Sequence, residues 1–180
     1  QGRGLRSAAP AIVAGCTMVL RPSEIAPLSG TLLRLTPADF APLSSKYLNE
    51  GRNKDNWRLG DIIIDGKFLE TEVDMTSTYI SDTDRQGFHL TIFTALEFCS
   101  QLMIIYMHAW AGLKEKVREA WMLESTFKST RAVRSADHIR VGMQVDTMRK
   151  RGDNLICKAR FRITDQQDGL CEITLTIFLS

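Results

Sequence analysis

The apolar positions of this chain change period twice. From Trp57 they recur at every second residue, between Gly87 and Gly112 they crowd into one nearly continuous run, and from Ala120 to Leu179 they alternate again. Period-two alternation marks strands with one buried face. A long Pro-free apolar run with glycine at each end marks a buried helix. The middle run therefore predicts a helix that is hydrophobic on nearly all sides and starts near Gly87–Thr91. Its polar exceptions are not scattered. At 100° per residue, Thr94, Glu97, Gln101 and His108 fall within about 60° of one another on a single face. That stripe has to meet water, a neighbouring subunit or a ligand, because an unpaired buried charge is costly. The same polar residues argue against a membrane span.

Ahead of the helix, Ile62–Ile64 and Lys67–Met75 flank Asp65-Gly66, a hairpin signal. Leu69, Thr71, Val73 and Met75 take one face of the second arm, and Glu70, Glu72 and Asp74 the other. Behind the helix stand four runs. Ala120–Ser129 is led by Trp121, Leu123, Ser125 and Phe127. His138–Met148 turns Ile139, Val141, Met143 and Val145 inward. Leu155–Thr164 does the same with Leu155, Cys157, Ala159, Phe161 and Ile163, and Cys171–Leu179 with its odd positions. Turn residues between the runs predict an antiparallel meander, with Leu155–Thr164 as an edge strand in need of cover and the last strand near a subunit interface. Gly51–Asp55 reads as a polar loop, Leu32–Phe40 and Pro42–Asn49 as short helical turns, and Ile12–Leu20 as a short strand. The expected division is an N-terminal extension, 1–50, and a folded domain, 51–180. Hairpin, long helix, then several strands is an α+β order, and a helix this apolar calls for a curved antiparallel sheet wrapped around it.

Charge and cysteines narrow the function classes. A net charge of +2, with Arg and Lys dispersed along the chain, predicts no nucleic-acid partner. Cys16, Cys99, Cys157 and Cys171 lack metal-ligand spacing, so free thiols, no metal and a reducing cytoplasmic setting are expected.

Two resemblances add to this reading. Pro10–Ser29 resembles the cofactor-domain stretch of aldehyde dehydrogenases, which implies that Arg21, Ser23 and Glu24 hold the places that contact the adenosine half of a nicotinamide cofactor. No glycine-rich phosphate loop or catalytic Cys segment follows, so the stretch is read as a remnant and no cofactor is expected. The element order from residue 51 resembles the hot-dog fold, and two families within it are similar in detail. The FcoT-like long-chain acyl-CoA thioesterases share the order Tyr79-Ile80, His89, Ser100-Gln101-Leu102; the Asn they carry two residues after the His is Thr91 here. The β-hydroxyacyl carrier-protein dehydratases share Glu97 with Gln101 four residues on, although their His-Phe-Pro and Pro-Gly segments are absent. These resemblances imply an acyl thioester of coenzyme A or an acyl carrier protein as substrate, and a homodimer or higher homo-oligomer that extends one sheet across subunits.

The chemistry follows from residue types. Thioester hydrolysis needs N–H donors for the oxyanion, which a helix N-terminus supplies, and a group that deprotonates water. Glu97 is the candidate base or nucleophile, oriented by Thr94 and Gln101, with a structural carboxylate paired to an Arg such as Arg140 or Arg160 across a dimer as the alternative. His89 at the helix entrance, Tyr79 and Thr91 complete the catalytic set. Asp82 and Asp84 in the connecting loop and Gly87 at the helix start are substrate-side candidates. His108 lies about 16 Å along the helix from Glu97 and reads as structural. Met103, Tyr106, Met107 and Trp110 suit core packing better than an acyl tunnel. A β-hydroxyacyl-thioester dehydratase, with His89 as base and Glu97 as acid, and a non-catalytic acyl-binding or dimerisation module are the alternatives.

Overall fold

Alternation and turn chemistry place the strands. In the computed structural model, which describes residues 55–80, 86–113 and 115–180, the elements are β1 (Asn56–Leu59), β2 (Ile63–Asp65), β3 (Phe68–Ser77), α1 (Ile92–Trp110), β4 (Ala120–Arg131), β5 (Ile139–Arg151), β6 (Asn154–Thr164) and β7 (Leu170–Leu179). All lie within one compact unit, Lys46–Ser180. The aldehyde dehydrogenase-like stretch with Arg21, Ser23 and Glu24, the two helical turns before residue 50, and Asp82 and Asp84 lie outside the described residues.

The β2–β3 hairpin forms one residue later than its Asp-Gly signal suggests. Asp65 pairs with Phe68, so the two loop residues are Gly66 and Lys67. Gly66 has φ +55°, the left-handed region that glycine enters without steric cost, at the first loop position of a type II′ hairpin. The Tyr106 hydroxyl of α1 donates to the Gly66 carbonyl at 2.8 Å and ties that turn to the helix.

Every pairing in the seven-stranded sheet is antiparallel, in the order β1-β3-β5-β6-β7-β4, with β2 also on β3. This corrects the meander. After α1 the chain enters the far edge as β4 and then crosses to β5, because the helix has to lie across the sheet between its two ends. The expected edge strand, β6, is central, between β5 and β7, and the last strand, β7, is covered by β6 and β4. The exposed edge past β7 is β4.

The inward alternation of β3, β5, β6 and β7 holds residue by residue. Leu69, Val73, Ile139, Val141, Phe161, Ile163, Ile173 and Leu175 are each 2% exposed or less. In β4 the phase slips. Met122 faces Ile177 but Glu124 faces Thr176, so Leu123 is the extra residue of a bulge. Inward positions run Ala120, Met122, then Ser125 and Phe127, and Trp121, opposite Phe178, turns outward with the other face. One inserted residue moves the upstream side chains to the opposite side.

The helix packs Ala95, Phe98, Cys99, Leu102, Met103, Tyr106 and Met107 on the sheet. The helix face turned away from the sheet is open, with Ile92, Phe93 and Trp110 36%, 46% and 51% exposed. A single sheet covers one face of a helix and leaves the other open. Of the Met and aromatic cluster, Met103, Tyr106 and Met107 are core and Trp110 is not. A helix packed against one face of a seven-stranded antiparallel sheet is the hot-dog arrangement expected from the element order.

Asp165 secures the end of the sheet. Its carboxylate accepts backbone N–H bonds from Arg134, Ser135, Gln167 and Gly169 at 2.6 to 2.9 Å. Burial alone raises its pKa, but these four donors outweigh that effect and hold it below the usual carboxylate range. Gly169 lies against the Val133 backbone so closely that a Cβ there meets Val133 Cα at 2.6 Å and the Ala132 carbonyl at 2.9 Å. Backbone atoms cannot yield as a side-chain tip does. Gly169→Ala is expected to cost about 2 kcal/mol, in the overpacking range, read as a lower denaturant midpoint at unchanged slope.

Candidate active site at the start of the helix

The helix begins at Ile92 with Thr91 as N-cap, a few residues later than the apolar run suggests. Gly87 (φ +75°) and half-buried His89 therefore belong to the approach, not to the first turn. Their backbone N–H groups are not helix-terminal donors. The approach is anchored by Leu90, whose N–H donates to the Val133 carbonyl at 2.9 Å.

The cap is a short hydroxyl relay. Thr91 Oγ1 accepts from the Thr94 N–H at 3.3 Å and lies 3.0 Å from Thr94 Oγ1. Thr94 Oγ1 donates to Asp55 Oδ2 at 2.7 Å. A hydroxyl has one proton and an ionised carboxylate only accepts, so Thr91 donates to Thr94 and Thr94 to Asp55. The other oxygen, Asp55 Oδ1, accepts the Tyr79 backbone N–H at 2.9 Å. Asp55 is 5% exposed and Thr94 is fully buried. The first turn of α1 has no acidic residue of its own; Asp55 brings negative charge to that positive helix end.

Asp55 is the residue that sequence reasoning missed. Its neighbours in sequence read as a polar loop, yet it is buried and joins the start of β1, the segment after β3 and the helix. Its only signal was an acid placed just ahead of the first alternating run. Tyr79 follows the end of β3 rather than lying within a strand, and its side chain is 39% exposed beside Ile80 at 47%.

Glu97 lies one turn beyond Thr94 and is half-buried. Its Oε2 accepts from Trp57 Nε1 at 3.3 Å, and Trp57 packs edge-on against Phe98, ring centroids 6.1 Å apart. Arg140 lies 3.7 Å from Glu72, and Arg160 pairs with Asp146 at 2.9 Å, both on the outer sheet face.

The predicted stripe thus splits into distinct surroundings. Thr94 is buried in the cap, Glu97 is half-buried, Gln101 is exposed, and His108 is 6% exposed at the far end. The structure brings Thr91, Thr94 and the Tyr79 backbone N–H together around Asp55, and Glu97 lies one turn on against Trp57. Gln101 and His108 line a separate cleft of about 240 Å³. No group of three or more metal-ligating side chains occurs among the described residues.

Carboxylate, hydroxyls and helix-terminal amides at one place can deprotonate water and stabilise a developing oxyanion. Helix-terminal N–H groups have no intrahelical acceptor, and the Ile92 N–H is the first of them.

No family model and no curated protein sequence matches the chain. Among solved structures it is similar to a hypothetical thioesterase protein from Streptococcus pneumoniae with coenzyme A, at 15% identity and TM-score 0.47 over 69% of this chain and 89% of that one. It is also similar to a thioesterase from Haemophilus influenzae, at 13% identity and TM-score 0.47 over 82% and 92% of the two chains. A Streptococcus mutans protein bound to acetyl-CoA is 13% identical, with TM-score 0.45 over 75% and 97%.

Proposed function

We propose that this protein is an acyl-thioester hydrolase acting on acyl-coenzyme A as a homodimer. The observation that carries the reading is the half-buried Glu97 carboxylate one turn inside a capped helix N-terminus. In the proposed reaction Glu97 takes a proton from water as the water oxygen adds to the thioester carbonyl. The oxyanion is held by N–H groups at the start of α1, among them that of Ile92. Collapse breaks the C–S bond, and the proton returns to the departing thiolate. The Trp57 indole N–H, 3.3 Å from Glu97 Oε2, orients the base. His89, Tyr79, Thr91 and Gly87 line the approach, and Asp82 and Asp84 are substrate-side candidates by sequence.

The dimer is proposed through β4. Its outer edge is unpaired among the described residues, and Trp121, Met122 and Leu123 are 55%, 44% and 59% exposed. A long apolar edge of this kind aggregates unless a partner covers it.

The test is a panel of acyl-CoAs with a thiol reagent. Burial pushes the Cys99 thiol well up, and pushes Cys157 up to about 12, so neither reacts appreciably in the native protein. Release of coenzyme A from at least one chain length is expected. Enoyl product from 3-hydroxyacyl-CoA without thiol release refutes hydrolysis in favour of dehydration, and binding without turnover refutes both in favour of an acyl-binding module. Trp121→Glu with Leu123→Lys is expected to convert the dimer to monomer by light scattering, with loss of turnover and an unchanged far-UV spectrum. A parent protein already monomeric and active removes the dimer from the proposal.

A further inference from the structure

Among the described residues only His138 and Asp168 hold a positive φ without being glycine. Asp168 lies in the connection between β6 and β7, but His138, at φ +53°, immediately precedes the first residue of β5. A left-handed backbone at such a corner is kept there by its surroundings, and two carboxylates of β3 do the holding. The His138 N–H donates to Asp74 Oδ1 at 2.9 Å, and ring Nδ1 lies 2.9 Å from Glu72 Oε2. An ionised carboxylate only accepts, so Nδ1 carries a proton. Arg58 of β1 reaches Asp74 at 3.3 Å, and Arg140 of β5 lies 3.7 Å from Glu72. One charged cluster thus joins β1, β3 and β5.

The cluster stands where the ladder of the sheet runs out. β3 pairs with β5 up to Val73 opposite Ile139, and beyond that pair the Met75 N–H donates to the Ala136 carbonyl at 2.8 Å. Two segments leaving this corner carry the candidate site. β1 brings Trp57, the residue before Arg58, to Glu97. The segment after β3 brings the Tyr79 N–H to Asp55.

We infer that His138, Glu72 and Asp74 form a pH-sensitive latch that closes this corner while the His138 ring is protonated and loosens it when the ring becomes neutral. The inference rests on the thioesterase reading only for what the latch does to turnover. The acids that face the ring among the described residues are Glu72 and Asp74 of β3 and the adjacent Asp137. All three favour the imidazolium and raise its pKa above the ordinary value of 6.5, the hydrogen bond to Glu72 first. Arg58 and Arg140 are engaged with the same two β3 carboxylates, and Arg134 shares with His138 the lining of the adjacent cleft. Because the folded value is the higher one, the contribution of the latch is full below about pH 6.5 and is lost as pH rises through the folded value. Asp74, held below the usual carboxylate range first by the His138 N–H and then by Arg58, stays ionised throughout.

The test is amide hydrogen exchange of the full chain from about pH 5.5 to about pH 9, corrected for the intrinsic pH dependence of exchange, with the His138 ring followed by NMR. The Met75 and Tyr79 amides are expected to open about two- to fivefold more often above the His138 titration than below it, the scale of an exposed ion pair. His138→Asn tolerates the left-handed backbone but does not titrate, and it is expected to make exchange at both amides independent of pH over that range. Glu72→Gln is expected to lower the pKa read from the ring. Exchange in the parent that stays flat through the His138 titration overturns the inference, whether or not either variant folds. So does a pH dependence that persists in His138→Asn, or a ring pKa that Glu72→Gln leaves unchanged. Exchange needs no substrate, so the two readings fail separately. A working latch without acyl-CoA hydrolysis sinks the thioesterase alone, and hydrolysis with flat exchange sinks the latch alone.

Discussion

Glu97→Gln is expected to lower kcat for acyl-CoA hydrolysis by at least about a hundredfold, the usual scale for loss of a general base. KM should change little, since the lost interaction belongs to the transition state rather than to substrate binding. The substitution is chosen for what it preserves. Gln has nearly the same shape as Glu, and its amide oxygen can still accept the Trp57 indole N–H that now reaches Glu97 Oε2 at 3.3 Å. The edge-on contact of Trp57 with Phe98, and with it the seat of β1 on the helix, should therefore persist. Thermal stability and indole fluorescence should match the parent. A parent-like kcat in that folded variant takes Glu97 out of the mechanism.

The core of the fold was legible because its signal is local. Along β3, β5, β6 and β7 each residue's face is set by its neighbours two positions away, and Leu69, Val141, Phe161 and Ile173 are all buried as alternation requires. The helix was legible for the same reason, as an unbroken apolar run between glycines. Strand order was not, because the choice of neighbour for β4 is decided by a pairing with β7 some fifty residues away in sequence. The bulge at Leu123 was equally invisible. An extra residue in a run of Trp, Met and Leu leaves the composition unchanged and reveals itself only through the register of the partner strand.

Within the candidate site, Glu97 and Thr94 stood out by helical spacing. Periodicity places a residue on a helix face but does not say what covers that face. Glu97 and His108 share a stripe, yet one meets the Trp57 indole and the other is enclosed beside Leu113. Asp55 stood out least. Its partners Tyr79 and Thr94 are 24 and 39 residues away, so no local pattern distinguishes it from a solvated loop acid.

Asp55 also provides the sharpest separation of architecture from chemistry. Asp55→Ala removes the acceptor of two hydrogen bonds to a charged group, and it removes the only carboxylate hydrogen-bonded to the first turn of α1 among the described residues. At about 1.5 kcal/mol or more for each such bond, a loss of roughly 3 kcal/mol is expected, visible as a melting temperature lower by about 10 °C in a domain of this size. Asp55→Asn should be far milder. Its amide oxygen can keep the Tyr79 N–H, and its NH₂ can donate to Thr94 Oγ1 if the relay reverses so that Thr94 donates to Thr91. What is lost is the charge assistance, about 1 kcal/mol. Because Asp55 is proposed to position the helix start and the Tyr79 segment, the Asn variant should keep kcat within about tenfold of the parent. Glu97→Gln, by contrast, should be stable and nearly inactive. The opposite pattern, a folded Asp55→Asn variant that is inactive beside an active Glu97→Gln, would make the buried carboxylate the base and Glu97 its structural neighbour.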